Sequence, residues 1–239
     1  MSLLSRLFGN LGRAGAQPGP ARTMAVAGSQ PAAVAQDAGG AKQLLHVGCG
    51  APDPMKLPAY FRSADWREVR LDINPDCKPD IIASMTSMPQ VASGAYAAIF
   101  SSHNIEHLYP HEVQVALREF HRVLAPDGFA YVTVPDLQQV AELVAQGKLD
   151  DTAYVSPAGP IAPHDMLYGH RAELASGNLF MAHRTGFTDK TLTNALLGVG
   201  FAQVSVRRDG RYALWAVAFR QTQTQEQLQA IQQALSAPG

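Results

Sequence analysis

Residues 44–50, Leu44-Leu45-His46-Val47-Gly48-Cys49-Gly50, decide the fold. A short, mostly apolar run closed by two glycines spaced by one residue reads as a buried strand entering a tight turn. Glycine at such a turn lets the backbone approach a ligand and tolerates unusual φ/ψ. A dinucleotide fingerprint needs a third glycine where Asp53 stands. No Lys-Ser or Lys-Thr follows either, so a pyrophosphate ligand is disfavoured. Asp72 lies 24 residues beyond Gly48, at the end of the next apolar run. An acid there can accept hydrogen bonds from both hydroxyls of a ribose. Its competing role is that of a turn acid in Asp72-Ile73-Asn74-Pro75.

Outward from this stretch, strand and helix patterns alternate. Strands are expected over 69–73, 80–83, 97–101 and 129–134, with a helix over 111–124. Pro126-Asp127-Gly128 forces a turn before the fifth strand. A second helix is expected over 189–197, stopped by Gly198 and Gly200. Two last strands, 202–208 and 212–219, flank Asp209-Gly210, a hairpin signal that makes them antiparallel. The pattern predicts an α/β protein with a doubly wound, mostly parallel sheet and helices on both faces. Ligands of such sheets bind beyond the carboxyl ends of the strands, where strand order reverses. Residues 136–186 are too long for a plain connection and are expected to form an inserted lid or substrate domain.

The 239 residues carry 19 Lys and Arg against 20 Asp and Glu, which argues against a nucleic-acid binder that needs a concentrated basic face. No apolar run reaches the ~20 residues of a membrane span. Cys49 and Cys77 form no metal-ligand spacing and are expected to be reduced thiols in the cytoplasm. Residues 1–40, rich in Ala, Gly and Pro, read as a flexible segment. Within it, Leu3, Leu4, Leu7, Phe8 and Leu11 share a helical face, leaving weak membrane-surface contact by residues 1–12 open beside docking on the core. Arg6 and Ser5 interrupt any secretory apolar core. Residues 221–239 hold seven Gln and one charge, with Leu228, Ile231 and Leu235 spaced for a short terminal helix or tail.

Four ordered segments resemble the class I S-adenosylmethionine (SAM)-dependent methyltransferases, and the long insertion with its run His164 to His170 looks like an uncharacterised bacterial branch of them. The four segments are Leu44 to Gly50, Leu71-Asp72-Ile73, Ser101 to Leu108, and Phe120 to Gly128. The resemblance covers about residues 44–220. It implies a seven-stranded Rossmann-like sheet with the last strand antiparallel, and SAM as methyl donor. It also implies cofactor contacts by His46, Gly48, Cys49, Gly50, Asp72, Ile73, Ser84, Met85, Ser101 and Ser102. His46, Pro52 and Ser84 stand where the family has other residues. The expected activity is methylation of a small-molecule or glycan-like acceptor. The alternative is a methyltransferase-like SAM-binding module without turnover.

His103, just past the fourth strand, stands where a general base for a hydroxyl acceptor belongs. His103-Asn104-Ile105-Glu106-His107 also fits a His-x-x-Glu-His metal pattern, but a helix-capping Glu-His pair is the preferred reading and no metal is expected. In the insertion, His164, Tyr168, His170, His183 and Arg184 are the expected acceptor-binding residues.

Overall fold

The computed structural model describes residues 40–236. Seven strands form one sheet. They are β1 (Lys42–Val47), β2 (Trp66–Asp72), β3 (Ile81–Ile82), β4 (Tyr96–Ser102), β5 (Leu124–Pro135), and then β8 (Gln203–Arg208) and β9 (Ala213–Phe219). Their order is β3-β2-β1-β4-β5-β9-β8. β1 to β5 pair in parallel, whereas β9 runs antiparallel to both β5 and β8. Order reverses between β1 and β4, so a crevice opens beyond their carboxyl ends. β9 is not an edge strand. It slots between β5 and β8, which covers the otherwise open side of β5.

Both faces of the sheet are apolar, as alternate residues of each strand require when both faces are covered. Leu45, Val47, Ile99, Val132 and Ala216 join the core under α1 (Pro110–Val123) and α5 (Asp189–Leu197), with Val113, Leu117, Phe120, Leu192 and Leu196. Leu44, Phe100, Tyr131, Val217 and Phe219 point the other way. That face is covered by a 3-10 turn, Ala59–Arg62, bearing Phe61, and by α6 (Gln225–Ser236), bearing Leu228, Ile231 and Leu235. The β1–β2 crossover therefore contains only 3-10 turns, a consequence of Pro52, Pro54 and Pro58 in that stretch.

The expected strands and helices are present, with two shifts. β2 begins at Trp66, three residues before the apolar run, because Trp66 and Glu68 alternate outward from the same ladder with β1. Pro126-Asp127-Gly128 does not precede β5 but bulges within it. Leu124 pairs with Tyr96 and Phe129 with Ala98, so five β5 residues span two of β4.

The insertion folds into α2 (Leu137–Ala145), a separate hairpin of β6 (Tyr154–Ser156) and β7 (Gly159–Ile161), α3 (Pro163–Tyr168) and α4 (Arg171–Ala175). Its two ends meet. Asp136 and Phe187 form a parallel bridge, and the Leu137 N–H donates to the Phe187 carbonyl at 2.8 Å. Fully buried Asp136 caps α2 through Gln138 N–H and holds Arg208 at 3.0 Å. Pinned ends make the insertion an integral wall of the crevice. Among the described residues, no helix is long and apolar enough to cross a membrane. The apolar stripe of residues 3–11 lies outside the described residues.

Candidate functional site

The turn after β1 is tied down on every side. Gly48 and Gly50 have φ of +68° and +60°, where a Cβ is strained. A Cβ on Gly48 would also sit 2.1 Å from Asn104 Oδ1. The Gly48 and Cys49 N–H groups both donate to the Leu71 carbonyl, at 2.8 and 3.2 Å. The Gly50 N–H donates to Asp72 Oδ2 at 2.8 Å, and Asp72 Oδ1 accepts the Asn74 N–H at 2.9 Å. Arg70 donates to the carbonyls of Gly50 (2.5 Å), Lys78 (2.9 Å) and Cys77 (3.1 Å). The Asn104 amide donates to the Val47 carbonyl at 3.0 Å and the Ser102 carbonyl at 2.9 Å, clamping the carboxyl ends of β1 and β4 together. With these groups paired, the loop is organised before any ligand arrives.

Above this loop lies a cavity of about 370 Å³, a size suited to a small organic ligand. Gly48, Gly50, Asp72, Ile73, Ser84 and Met85 line it. The insertion closes its far side with Asn178, Phe180, Met181 and Arg184. An adjoining cavity of about 480 Å³ lies under the insertion, lined by Tyr154, Asp165, His170, Glu173, His183 and Tyr212 among others. His103, His107 and Met181 line both cavities. His103 has φ of +53°, an uncommon conformation for a non-glycine residue and one that clusters at functional sites.

Residues 45–132 match a family model of the methyltransferase domain. That domain match and the fold support a class I SAM-dependent methyltransferase. No curated protein matches it in sequence. Solved structures similar to it include the PH0226 protein from Pyrococcus horikoshii, at 13% identity and a TM-score of 0.53, covering 76% of this chain and 82% of that one. A second is a 1,6-didemethyltoxoflavin-N1-methyltransferase from Burkholderia thailandensis with bound 1,6-didemethyltoxoflavin and S-adenosylhomocysteine. It shows 16% identity and a TM-score of 0.50, with 76% of this chain and 72% of that one covered. A third, named a possible exported protein, comes from Bordetella parapertussis, at 16% identity and a TM-score of 0.50. The match there takes in 76% of this chain but only 62% of the other. These likenesses show the fold.

A methyltransferase domain implies SAM as cofactor, and the residues lining the cavity fit it. Asp72 is the acid at the end of β2, its two oxygens each holding one backbone N–H and each keeping lone-pair capacity for a ribose hydroxyl. Ile73 is exposed beside it, an apolar surface for the adenine ring. Ser84 lines the cavity, but its hydroxyl is engaged with Thr86 Oγ1 at 2.8 Å within its own turn.

Other expected contacts lie elsewhere. His46 does not line the cavity. Its buried ring packs on Phe100, and its Nδ1 lies 2.6 Å from Glu68 Oε1, because odd and even positions of β1 face opposite sides of the sheet. Cys49 is buried behind the glycines, and burial pushes its thiol up to about 11 against the opposing pull of Arg70. Ser101 is fully buried in β4, and Ser102 presents its carbonyl to Asn104 rather than a side chain to the cavity. Asn104, Arg70 and Asn74 are the residues that sequence reasoning passed over. An Asn four residues after Phe100, the last β4 apolar position, carries no periodic signal.

The expected acceptor residues divide. His170 and His183 line the cavity under the insertion. Tyr168 lines a smaller cavity of about 230 Å³ beside it, together with His183, Glu106 and Arg184. Arg184 reaches the cofactor cavity too, its guanidinium 4.9 Å over the Tyr109 ring. His164 lines none of these cavities; it pairs with Asp150 at 3.0 Å on the surface.

Between the two main cavities lies a charged knot. Glu106 is fully buried, and His103 Nδ1 lies 3.3 Å from its Oε1. The His103 side chain is 46% exposed, so its ring is only partly desolvated, and contact with buried Glu106 outweighs that desolvation and raises the pKa above its ordinary value. Burial would likewise raise Glu106, but His103, His107 and His183 lower it on balance. His183 is pushed down by burial, despite Glu106.

Proposed function

We propose that this methyltransferase acts on a small hydroxylated acceptor, of the size of a metabolite or a glycan terminus, seated under the insertion. The observation that supports this reading is that His103 lines both the SAM cavity and the adjoining one. A methyl group passes in line from sulfur to acceptor, so the two ligands must meet at one point with fixed orientation. His103 stands at that junction. SAM, when bound, supplies an electrophilic methyl on a sulfonium. Asp72 and the Gly48–Gly50 loop hold the nucleoside and zwitterion, and Phe180 and Met181 screen the junction from water. His103 accepts the proton that an acceptor hydroxyl gives up as its oxygen takes the methyl. Polar Asp165, His170, Glu173 and Tyr154 suit an acceptor rich in hydroxyls. Free Cys49 and Cys77 suit a reducing compartment such as the cytoplasm.

The test is calorimetric titration with SAM and S-adenosylhomocysteine, followed by transfer from methyl-labelled SAM to a panel of hydroxylated small molecules and oligosaccharides. The reading requires binding of both cofactor forms and label in an acceptor with His103 intact. Binding without transfer to any acceptor class would favour a module without turnover.

A further inference from the structure

We infer that Glu106, His107 and His183 form a binding site for one divalent transition-metal cation, with zinc as the best fit. Glu106 and His107 adjoin in the turn after β4. His183 comes from the far end of the insertion, 76 residues later. One ligand atom from each lies within 4.8 Å of the others.

Two features point to a cation, and a third limits how it would bind. First, Glu106 is fully buried and neither oxygen meets a donor in hydrogen-bond geometry, its one charged neighbour being His103 at 3.3 Å from Oε1. An ionised carboxylate withdrawn from water demands compensation, and a metal supplies it directly. Second, His183 donates its Nδ1–H to the Met166 carbonyl at 2.8 Å. That fixes the tautomer whose Nε2 carries the lone pair, the usual arrangement of a metal-binding imidazole. Third, His107 lies between the Ala182 carbonyl (3.2 Å from Nδ1) and the His103 carbonyl (3.1 Å from Nε2). A neutral ring donates to only one of these carbonyls, so the other nitrogen can ligate a cation only by turning away from the carbonyl it faces. Two imidazoles and one carboxylate are a ligand set of open zinc sites, and they suit iron and manganese less tightly.

The backbone holds this trio in place. The Arg184 and Thr185 N–H groups both donate to the Glu106 carbonyl, at 2.8 and 3.2 Å, and the His183 N–H donates to the Tyr168 carbonyl at 3.1 Å. His107 and His183 also line the cavity under the insertion, which gives a cation an entry path and an open coordination position there. The site stands on these side chains alone and does not depend on the acceptor class proposed above. If that reading holds too, the cation supplies Lewis-acid polarisation of an acceptor oxygen.

The experiment uses the full chain, stripped with a chelator and desalted. Zn²⁺, Mn²⁺ and Mg²⁺ are titrated separately by calorimetry, and bound metal per chain is measured by elemental analysis. SAM binding and melting temperature are followed in parallel as controls on the fold. One equivalent of Zn²⁺ is expected, held more tightly than Mn²⁺ and far more tightly than Mg²⁺. Glu106→Gln and His183→Ala should each weaken it at least tenfold. Absence of saturable Zn²⁺ binding in the folded chain overturns the proposal. So does His183→Ala that binds as the parent does, which serves even where Glu106→Gln cannot be obtained folded. Loss of SAM binding with metal retained would count against the cofactor reading and leave the metal site standing.

Discussion

Asp72→Asn separates organisation of the glycine loop from contact with the ligand. Asp72 is nearly buried and accepts two backbone N–H groups, from Gly50 at 2.8 Å and Asn74 at 2.9 Å. An amide in its place has one acceptor oxygen, so one of those N–H groups then faces an NH₂ donor. An unpaired N–H in a mostly buried site costs about 1–3 kcal/mol of folding stability. The remaining lone pairs of the carboxylate face the cavity, where the ribose hydroxyls would donate. Losing charge and one acceptor there costs about 1.5–3 kcal/mol of SAM binding, or roughly tenfold to a hundredfold in Kd. Asp72→Ala should lose at least as much affinity. The assay is calorimetric titration with SAM and S-adenosylhomocysteine beside urea unfolding of each variant. An affinity equal to that of the parent, in a variant with native unfolding behaviour, would refute the assignment of Asp72 to the ribose.

Gly48→Ala should abolish measurable SAM binding in calorimetry, since its Cβ would occupy the Asn104 amide and its φ of +68° is strained for alanine. His103→Ala and His170→Ala should spare SAM affinity while lowering single-turnover methyl transfer by ~10²-fold for the residue that handles the acceptor proton; equal losses of cofactor affinity would contradict the division between the cavities. Arg184→Ala should weaken SAM itself, because the residue lines the cofactor cavity; unchanged SAM affinity in calorimetry would show that its side chain contributes no cofactor contact. Burial would raise the Asp165 carboxyl, yet Arg171 and the Ala162 and Arg171 N–H groups bring it down to about 2. Its folded pKa is thus depressed, so the stabilisation of about 2 kcal/mol is present above pH ~4 and lost as pH falls from about 4 towards 2. Urea unfolding of the parent and Asp165→Asn should differ at pH 6 and converge near pH 2; a constant gap would refute it.

The alternation of strand and helix was legible in the chain because it is written locally. The run 44–47, the helix 189–197 and the Asp209-Gly210 hairpin each carry their period or turn chemistry within a few residues, and each appears as expected. Gly48, Gly50 and Asp72 were legible for the same reason: a turn and a strand end fix where they stand. His46 was expected to face the ligand through its backbone, but the cavity lining begins one residue later, at Val47. Ser101 and Ser102 failed likewise, whereas Asn104, whose side chain bridges β1 to β4, was invisible without the pairing of those strands.

The sequence by itself determined the fold class, the family resemblance and the position of the crevice, since these follow from periodicity, glycine placement and the rule that ligands sit where strand order reverses. Only the tertiary structure decided what fills that crevice. Pinning Asp136 to Phe187 folds the insertion back on the sheet, so that His183 arrives beside Glu106 and His107, and Arg184, Phe180 and Met181 arrive over the cofactor cavity. Such meetings join residues separated by up to about 130 positions of chain. No local pattern encodes them, because they are settled by the packing of whole elements and by where buried polar groups find their partners.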